Sequence, residues 1–267
     1  MNDLHILHTL LHILNADQLS TIAIEGTDAT TFLQGQLTCD VEKLTPEKFS
    51  LGAHCNLKGR VVSLFWITRD TENYYLTLPE SIVETTIKSL QKYVLRSKVS
   101  MTVLERHPRA DGGPDAQSAL QALPAWIPAF AGMTERNAGM TRNFLTTCIE
   151  QHIPFLSPKT VGMFLPADLE LDKHGAISLN KGCFIGQEII ARMHYLGKSK
   201  NELCQFSTTS KINAGDAIIV EDKTMGHVIC TAETPEGLIG LACMKKNLDY
   251  DSSAFSRVPI SFNRSSK

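Results

Sequence analysis

Hydrophobic and polar positions divide the chain into stretches of different period. Leu4, Leu7, Leu11 and Leu14 recur at helical spacing, with His5, His8 and His12 on the neighbouring face. This predicts a short helix, although so few residues also fit an extended segment. The histidines read either as its half-polar side or as a metal set. From residue 20 the pattern sharpens. Thr21 to Ile24 reads as a strand, and Gly26-Thr27-Asp28 as a turn with an N-cap opening a helix through Phe32, Leu33 and Leu37. Leu51 to Asn56 and Val61 to Thr68 are strands around the turn Leu57-Lys58-Gly59-Arg60. The second is almost wholly apolar, which predicts a central place in its sheet. Tyr74 to Leu78 is a further strand. Pro79 to Tyr93 reads as a helix with Ile82, Ile87, Leu90 and Val94 near one face, and Lys98 to Leu104 returns as a strand.

The resulting order, β-α-β-β-β-α-β, is close to a ferredoxin-like split βαβ unit with one extra strand. Residues 107–143 then break the pattern. They hold Pro108, Pro114, Pro124 and Pro128, and Ala131-Gly132-Met133-Thr134 recurs as Ala138-Gly139-Met140-Thr141. The stretch reads as an irregular insertion or linker. The alternative is a lid or partner loop, to which Trp126, Ile127 and Phe130 point. Residues 144–180 are mixed. Five short strands follow, at Leu203–Ser207, Ala217–Val220, His227–Ala232, Leu238–Lys245 and Val258–Phe262, and predict a small C-terminal β-barrel. The fold class is therefore α+β.

Composition narrows the function classes. The chain has 267 residues and 43% hydrophobic content, enough for a substantial core. Its 26 Lys and Arg nearly balance 28 Asp and Glu, for a net charge of −2. That argues against a broad nucleic-acid footprint, so direct nucleic-acid binding is not expected. No apolar run approaches the roughly 18 residues of a membrane span. The first residues lack the charged flank of a secretory signal, so a cytoplasmic protein without membrane contact is expected. Seven cysteines at wide spacing, with no Cys-x-x-Cys pair, fit a reducing compartment better than a disulfide framework or a zinc site.

The densest chemical signal is Lys181-Gly182-Cys183-Phe184-Ile185-Gly186-Gln187-Glu188, running into Ile189-Ile190-Ala191-Arg192-Met193. Ile185, Ile189 and Met193 give a helix one buried face. Glu188 and Arg192 lie on another, where they also fit an ordinary i,i+4 surface pair. Cys183 would sit at or just before the first helical turn. There the helix N-terminus and Lys181 would both favour the thiolate. The competing reading is a cysteine packed in the core.

This run resembles the K-G-C-[YF]-x-G-Q-E signature of YgfZ-type folate-binding proteins, relatives of the glycine-cleavage aminomethyltransferase. Three further stretches resemble family elements: Phe32 to Val41 its first helix, His54 to Arg60 its hairpin, and Phe164 to Ser178 the run into the signature. Cys148-Ile149-Glu150-Gln151-His152-Ile153-Pro154 resembles an x-[IL]-E-x-G-x-P element whose glutamate contacts the pterin in the aminomethyltransferases. The likeness covers about 1–105 and 144–267. It implies ferredoxin-like folate-binding lobes, the second shortened, followed by a C-terminal barrel. It implies tetrahydrofolate, or a one-carbon-substituted form, as ligand. It implies an accessory role in assembling or repairing iron–sulfur clusters, with iron–sulfur enzymes or assembly proteins as partners and an indirect effect on tRNA modification. The implied functional residues are Cys183 with Lys181, the motif residues Gly182, Phe184, Gly186, Gln187 and Glu188, and the folate contacts Glu150, Phe144, Leu19 and Arg192. A carboxylate such as that of Glu150 can accept two N–H donors from a pterin edge.

The chain departs from the family at several points. His152 replaces the glycine of the glutamate element, and Leu19 and Phe144 stand where close relatives carry tryptophans. The expected organisation is a first lobe at 1–105, an insertion at 106–143, the remainder of the folate-binding domain at 144–200 and the barrel at 201–267. Two other readings stand beside the leading one. An aminomethyltransferase is disfavoured because the family's Asn-Ala-Ser-Asn stretch reads Leu78-Pro79-Glu80-Ser81 here. A non-catalytic docking module remains open because the middle lobe is short.

Overall fold

Ile22, Ala23 and Ile24 are all buried, so the first strand is covered on both faces and must lie inside a sheet. The computed structural model of the chain describes residues 19–46, 49–104, 144–197, 199–220, 222–246 and 260–263. The first strand, β1 (Leu19–Glu25), leads into helix α1 (Ala29–Gln36). Next come β2 (Ser50–Cys55), β3 (Val61–Arg69) and β4 (Tyr74–Pro79), then a 3-10 turn and α2 (Val83–Gln91), and last β5 (Ser100–Leu104). The five strands form one antiparallel sheet in the order β2-β3-β4-β1-β5. The apolar strand β3 pairs on both sides, and β4 takes the middle of the sheet.

The element order predicted for this half matches the observed one. Asp28 occupies the predicted N-cap position, but its side chain does not cap α1. Instead its carboxylate accepts the Lys98 N–H at 2.7 Å and ties the approach to β5 to the start of the helix. The helix predicted from Pro79 begins later, because Pro79 still pairs with Leu19 in the sheet. The predicted N-terminal helix with His5, His8 and His12, and the repeat at 107–143, lie outside the described residues.

In the second half, α3 (Phe144–Glu150) is followed by a run of turns, then α4 (Gln187–Leu196). The second sheet holds β6 (Asn201–Thr208), β7 (Ala217–Val220), β8 (Lys223–Thr234), β9 (Gly237–Lys245) and β10 (Ile260–Asn263), in the order β10-β6-β9-β8-β7. The expected strands are all present, but the expected closed barrel is not found. The twelve-residue β8 is bent by an irregularity between Val228 and Cys230. Among the described residues the short outer strands β7 and β10 do not pair with each other, so the sheet stays open. One face of this sheet gathers Cys204, Phe206, Val228, Ala242 and Met244 into a small core of its own. From the other, Leu203, Cys230, Leu241 and Cys243 join Leu145 and Ile149 of α3 in the large core that also contains the first sheet.

One buried polar residue links three elements of the first half. His54 on β2 is wholly buried. Its Nδ1–H donates to the Gln36 carbonyl at 3.2 Å, and its Nε2 accepts from the Ser89 hydroxyl at 2.9 Å. This pairing requires the neutral ring. Burial holds its pKa below the ordinary value, the Gln36 hydrogen bond works the other way, and Lys92 adds repulsion. Burial likewise lowers that of His174. An unfolded histidine takes up its proton near pH 6.5, a folded one here only at lower pH. The unfolded state therefore binds more protons between these values, and stability falls as the pH drops below 6.5. Urea unfolding should show a midpoint that declines between pH 7.5 and 5.5, with a shallower decline in His54→Gln.

Candidate signature site

An α-helix leaves its last carbonyls without partners inside the helix, and its C-terminal end carries partial negative charge. At the end of α1 these carbonyls are taken up by distant residues. Gly35 O accepts the Ile185 N–H at 3.2 Å, and Gln36 O accepts His54 Nδ1–H. Just past the helix, Lys181 Nζ donates to the carbonyl of the C-cap residue Leu37 and to Cys39 O, each at 2.7 Å. The segment beyond is held as closely. Thr38 Oγ1 donates to Ala176 O at 2.6 Å and accepts the Ala53 N–H, while Thr38 O accepts the Ser178 N–H. Gln34 bridges the same bend, donating to Asp40 and accepting from Val41 N–H, both at 2.8 Å.

The β2–β3 turn closes the other side. Asn56 Oδ1 accepts the N–H groups of Lys58 and Arg60, which shapes the turn. Gly59 and Gly186 both have positive φ, 70° and 81°, and they face each other. A Cβ on Gly186 would lie 2.7 Å from Asn56 O, and one on Gly59 would lie 2.9 Å from the Ile189 Cβ. Only glycine satisfies both the backbone angle and the close approach. Val61 N–H donates to Phe164 O, Gly162 N–H to Val61 O, and the Arg60 guanidinium to Met163 O. The signature and the stretches Phe32 to Val41, His54 to Arg60 and Phe164 to Ser178 therefore meet at one place.

The signature itself is a loop that ends at α4. Gly186 is the N-cap, its carbonyl accepting Ile190 N–H, and Gln187 Oε1 accepts Phe184 N–H at 3.3 Å. Phe184 is buried, while Gly182 and Cys183 are exposed. Cys183 lies three residues before the N-cap. All seven cysteines are described, and the other six are buried. Burial pushes the thiols of Cys39, Cys55 and Cys230 up to about 12, and those of Cys148 and Cys243 upward as well.

Lys181 is half-buried, 5.1 Å from the centre of the Phe184 ring. Desolvation brings its pKa down to about 8 against the opposing pull of Cys39, Asp40 and Glu42. On α4, Ile190 is the buried residue, Ile189 and Met193 are half-buried, and Glu188 and Arg192 are exposed.

Of the expected folate contacts, Arg192 lies on α4 beside this loop, while Glu150, Leu19 and Phe144 lie apart from it along the chain. Glu150 closes α3, whose apolar side packs into the core with residues of β8 and β9. Leu19 is 2% exposed and pairs with Pro79. Phe144 begins α3, and its side chain lies outside the described residues. At His152 the structure explains a departure from the family pattern. Its N–H donates to Ile149 O at 3.0 Å, and the Ile153 N–H to Cys148 O at 2.8 Å. This is a Schellman ending, which needs a left-handed residue at that position. His152 supplies it with φ 57°, a conformation that glycine reaches without strain.

A cleft of about 480 Å³ opens between the end of β4 and β8, lined by Pro79, Glu80, Ser81, Phe155, Ser157 and Thr231 among others. Cys183, Glu150, Leu19 and Arg192 are not part of its wall. Sequence reasoning noted Glu80-Ser81 only as a departure from the family, and Phe155 carried no signal. A second cleft, of about 220 Å³, lies between α4 and the 165–177 run, with Glu170, Lys173 and His194 in its wall. Among the described residues no group of three or more His, Cys, Asp or Glu side chains is placed to hold a metal ion.

Two substitutions test this local account in opposite directions. Gly186→Ala should lower unfolding free energy by about 2 kcal/mol or more, from a left-handed side chain and its clash with Asn56 O. His152→Gly should raise it by about 0.5–1 kcal/mol by relieving the left-handed position. Urea denaturation at pH 7.5 measures both.

No protein-family profile matches the chain. It is similar to the tRNA-modifying protein YgfZ of Colwellia psychrerythraea, 29% identical over 254 residues, covering 81% of this chain and 77% of that protein. With the tRNA-modifying protein YgfZ of Aliivibrio fischeri strain MJ11 it is 26% identical over 266 residues, covering 86% and 84%. With that of Photobacterium profundum it is 28% identical over 232 residues, covering 72% and 69%. Among solved structures it is similar in fold to the glycine cleavage system aminomethyltransferase T from Bartonella henselae. The TM-score is 0.57 at 16% identity, covering 90% of this chain and 81% of that one. The resemblance read from the signature is thus borne out: the chain is similar to YgfZ proteins over most of its length and similar in fold to an aminomethyltransferase T.

Proposed function

We propose that the chain is a folate-binding accessory factor for iron–sulfur proteins, supporting tRNA modification through iron–sulfur enzymes rather than by acting on tRNA itself. The observation that carries this reading is the presentation of Cys183. The residues resembling the family converge to hold one loop, and that loop exposes one thiol while the other six are buried. An exposed thiol can meet a partner's iron or an electrophilic adduct, whereas a buried one cannot. The link to tRNA comes from the names of the relatives, and the near-neutral charge favours an indirect one.

Tetrahydrofolate, or a one-carbon-substituted form, is assigned to the cleft between β4 and β8. Its volume falls in the range of small-molecule sites, about 300–1,000 Å³. Glu80 offers a carboxylate there for the N–H donors of a pterin edge. Glu150 remains the family-based candidate for that contact, with Leu19, Phe144 and Arg192 beside it. The proposed units are 1–105, 106–143, 144–200 and 201–267. The proposed site of action is the cytoplasm. No helix among the described residues is long and apolar enough to cross a membrane.

Three measurements test the reading. A chromogenic disulfide reagent should react rapidly with one thiol per folded chain, and Cys183→Ser should abolish that fast phase. In cells lacking the protein, Cys183→Ser should fail to restore iron–sulfur enzyme activity, and full restoration would rule out a thiol role. Calorimetric titration with tetrahydrofolate should give saturable binding, weakened about tenfold or more by removing a carboxylate contact through Glu80→Ala or Glu150→Ala. Absence of binding would leave the chain as a docking module.

A further inference from the structure

Lys181 precedes the exposed thiol by two residues, yet its ammonium group is directed into the fold. Two of its three donors are used by Leu37 O and Cys39 O. The cation also lies over the Phe184 ring. The titratable groups facing it are Cys39, Asp40 and Glu42, all on the segment that follows α1, and Asp40 is already paired with Lys43 at 2.8 Å. Among the described residues no carboxylate pairs with Lys181, so the carbonyls at and just past the end of α1 are the main partners of this charge.

The loop is fixed on both sides of Cys183. Lys181 holds its start to Leu37 and Cys39, and the Ile185 N–H holds its end to Gly35. Phe184 anchors the middle in the core. Between these anchors Gly182 faces open space, and a Cβ there would meet nothing within 4 Å. Cys183 is therefore the apex of a short span with three fixed points.

We propose that Lys181 is a positioning residue for Cys183: it caps the C-terminal end of α1 and thereby fixes the outward presentation of the thiol, rather than activating it by charge. This rests on the reading that Cys183 carries the chemistry. A fixed apex lowers the ordering cost when the thiol meets the surface of a partner protein. Arginine can also donate to two carbonyls and keep the charge, whereas methionine preserves only the apolar stem.

The test uses the full chain with a nitroxide attached to Cys183, the exposed thiol. In the wild-type protein the label's spectrum should be dominated by an immobilised component. Lys181→Met should convert it to a severalfold more mobile one, while Lys181→Arg should keep the wild-type line shape. The pH midpoint of the unlabelled thiol's reaction with the disulfide reagent should be the same in wild type and Lys181→Met. An unchanged label spectrum in Lys181→Met would overturn the proposal. A rise of that midpoint by a full pH unit would also overturn it, because the lysine would then be acting by charge. If Lys181→Met does not fold, Lys181→Arg decides: an immobilised label supports the proposal and a mobile one overturns it. Full rescue of cells by Cys183→Ser would defeat the underlying reading while leaving the spectroscopic result intact, so the two failures are distinguishable.

Discussion

The arrangement of the signature depends on the unsatisfied end of one short helix. α1 has only eight residues, so a large share of its carbonyls have no partner within it. Buried carbonyls left unpaired would each cost on the order of 1–3 kcal/mol. The partners come from two places distant in sequence, His54 on β2 and the loop at 181–185. The closing of α1 and the placing of the signature are thus one event. The loop cannot leave without exposing the helix end, and the helix end cannot be satisfied without the loop.

The same constraint accounts for the residue types at the contact. The two glycines at 59 and 186 let two turns touch where side chains would separate them. A cation suits the position of Lys181 because the helix end is negative, and its long stem reaches across while packing on Phe184. At neutral pH a lysine with its pKa near 8 is still largely charged, so the charge–dipole attraction is present there.

Much of the fold was legible because its strands and helices are locally consistent. Every strand expected between residues 20 and 104 is present, and so are all five of the C-terminal group. Period-2 patterning and turn residues are enough for this. What local patterns do not encode is closure. Five strands fit a barrel or an open curled sheet equally well, and the bend in β8 between Val228 and Cys230 is not marked by a turn residue. In the site, the signature was legible as a motif, and Gly182 and Cys183 are exposed at its apex. The direction of Lys181 was not. Proximity in sequence placed it beside the thiol, but its partners are Leu37 and Cys39, more than 140 positions away. His152 was visible only as a departure, and only the structure shows that its backbone is left-handed, a conformation glycine adopts without strain.

The distribution of thiols gives the arrangement its chemical sense. Six cysteines sit where forming a thiolate means placing a charge in an apolar interior, and burial makes them poor nucleophiles at neutral pH. The seventh is held outward by backbone and lysine contacts that leave its own side chain exposed. The larger cleft shares no residue with that loop, yet continuous contacts join them. Glu80 and Ser81 in the cleft wall form the turn that opens α2, Ser89 of α2 donates to His54, His54 donates to the end of α1, and the next carbonyl of that end is held by Lys181. From Ser89 to Lys181 each link is a hydrogen bond between buried or half-buried groups, so that part of the frame has little slack. A small molecule in the cleft and a partner at the thiol would therefore rest on opposite ends of the same short helix frame.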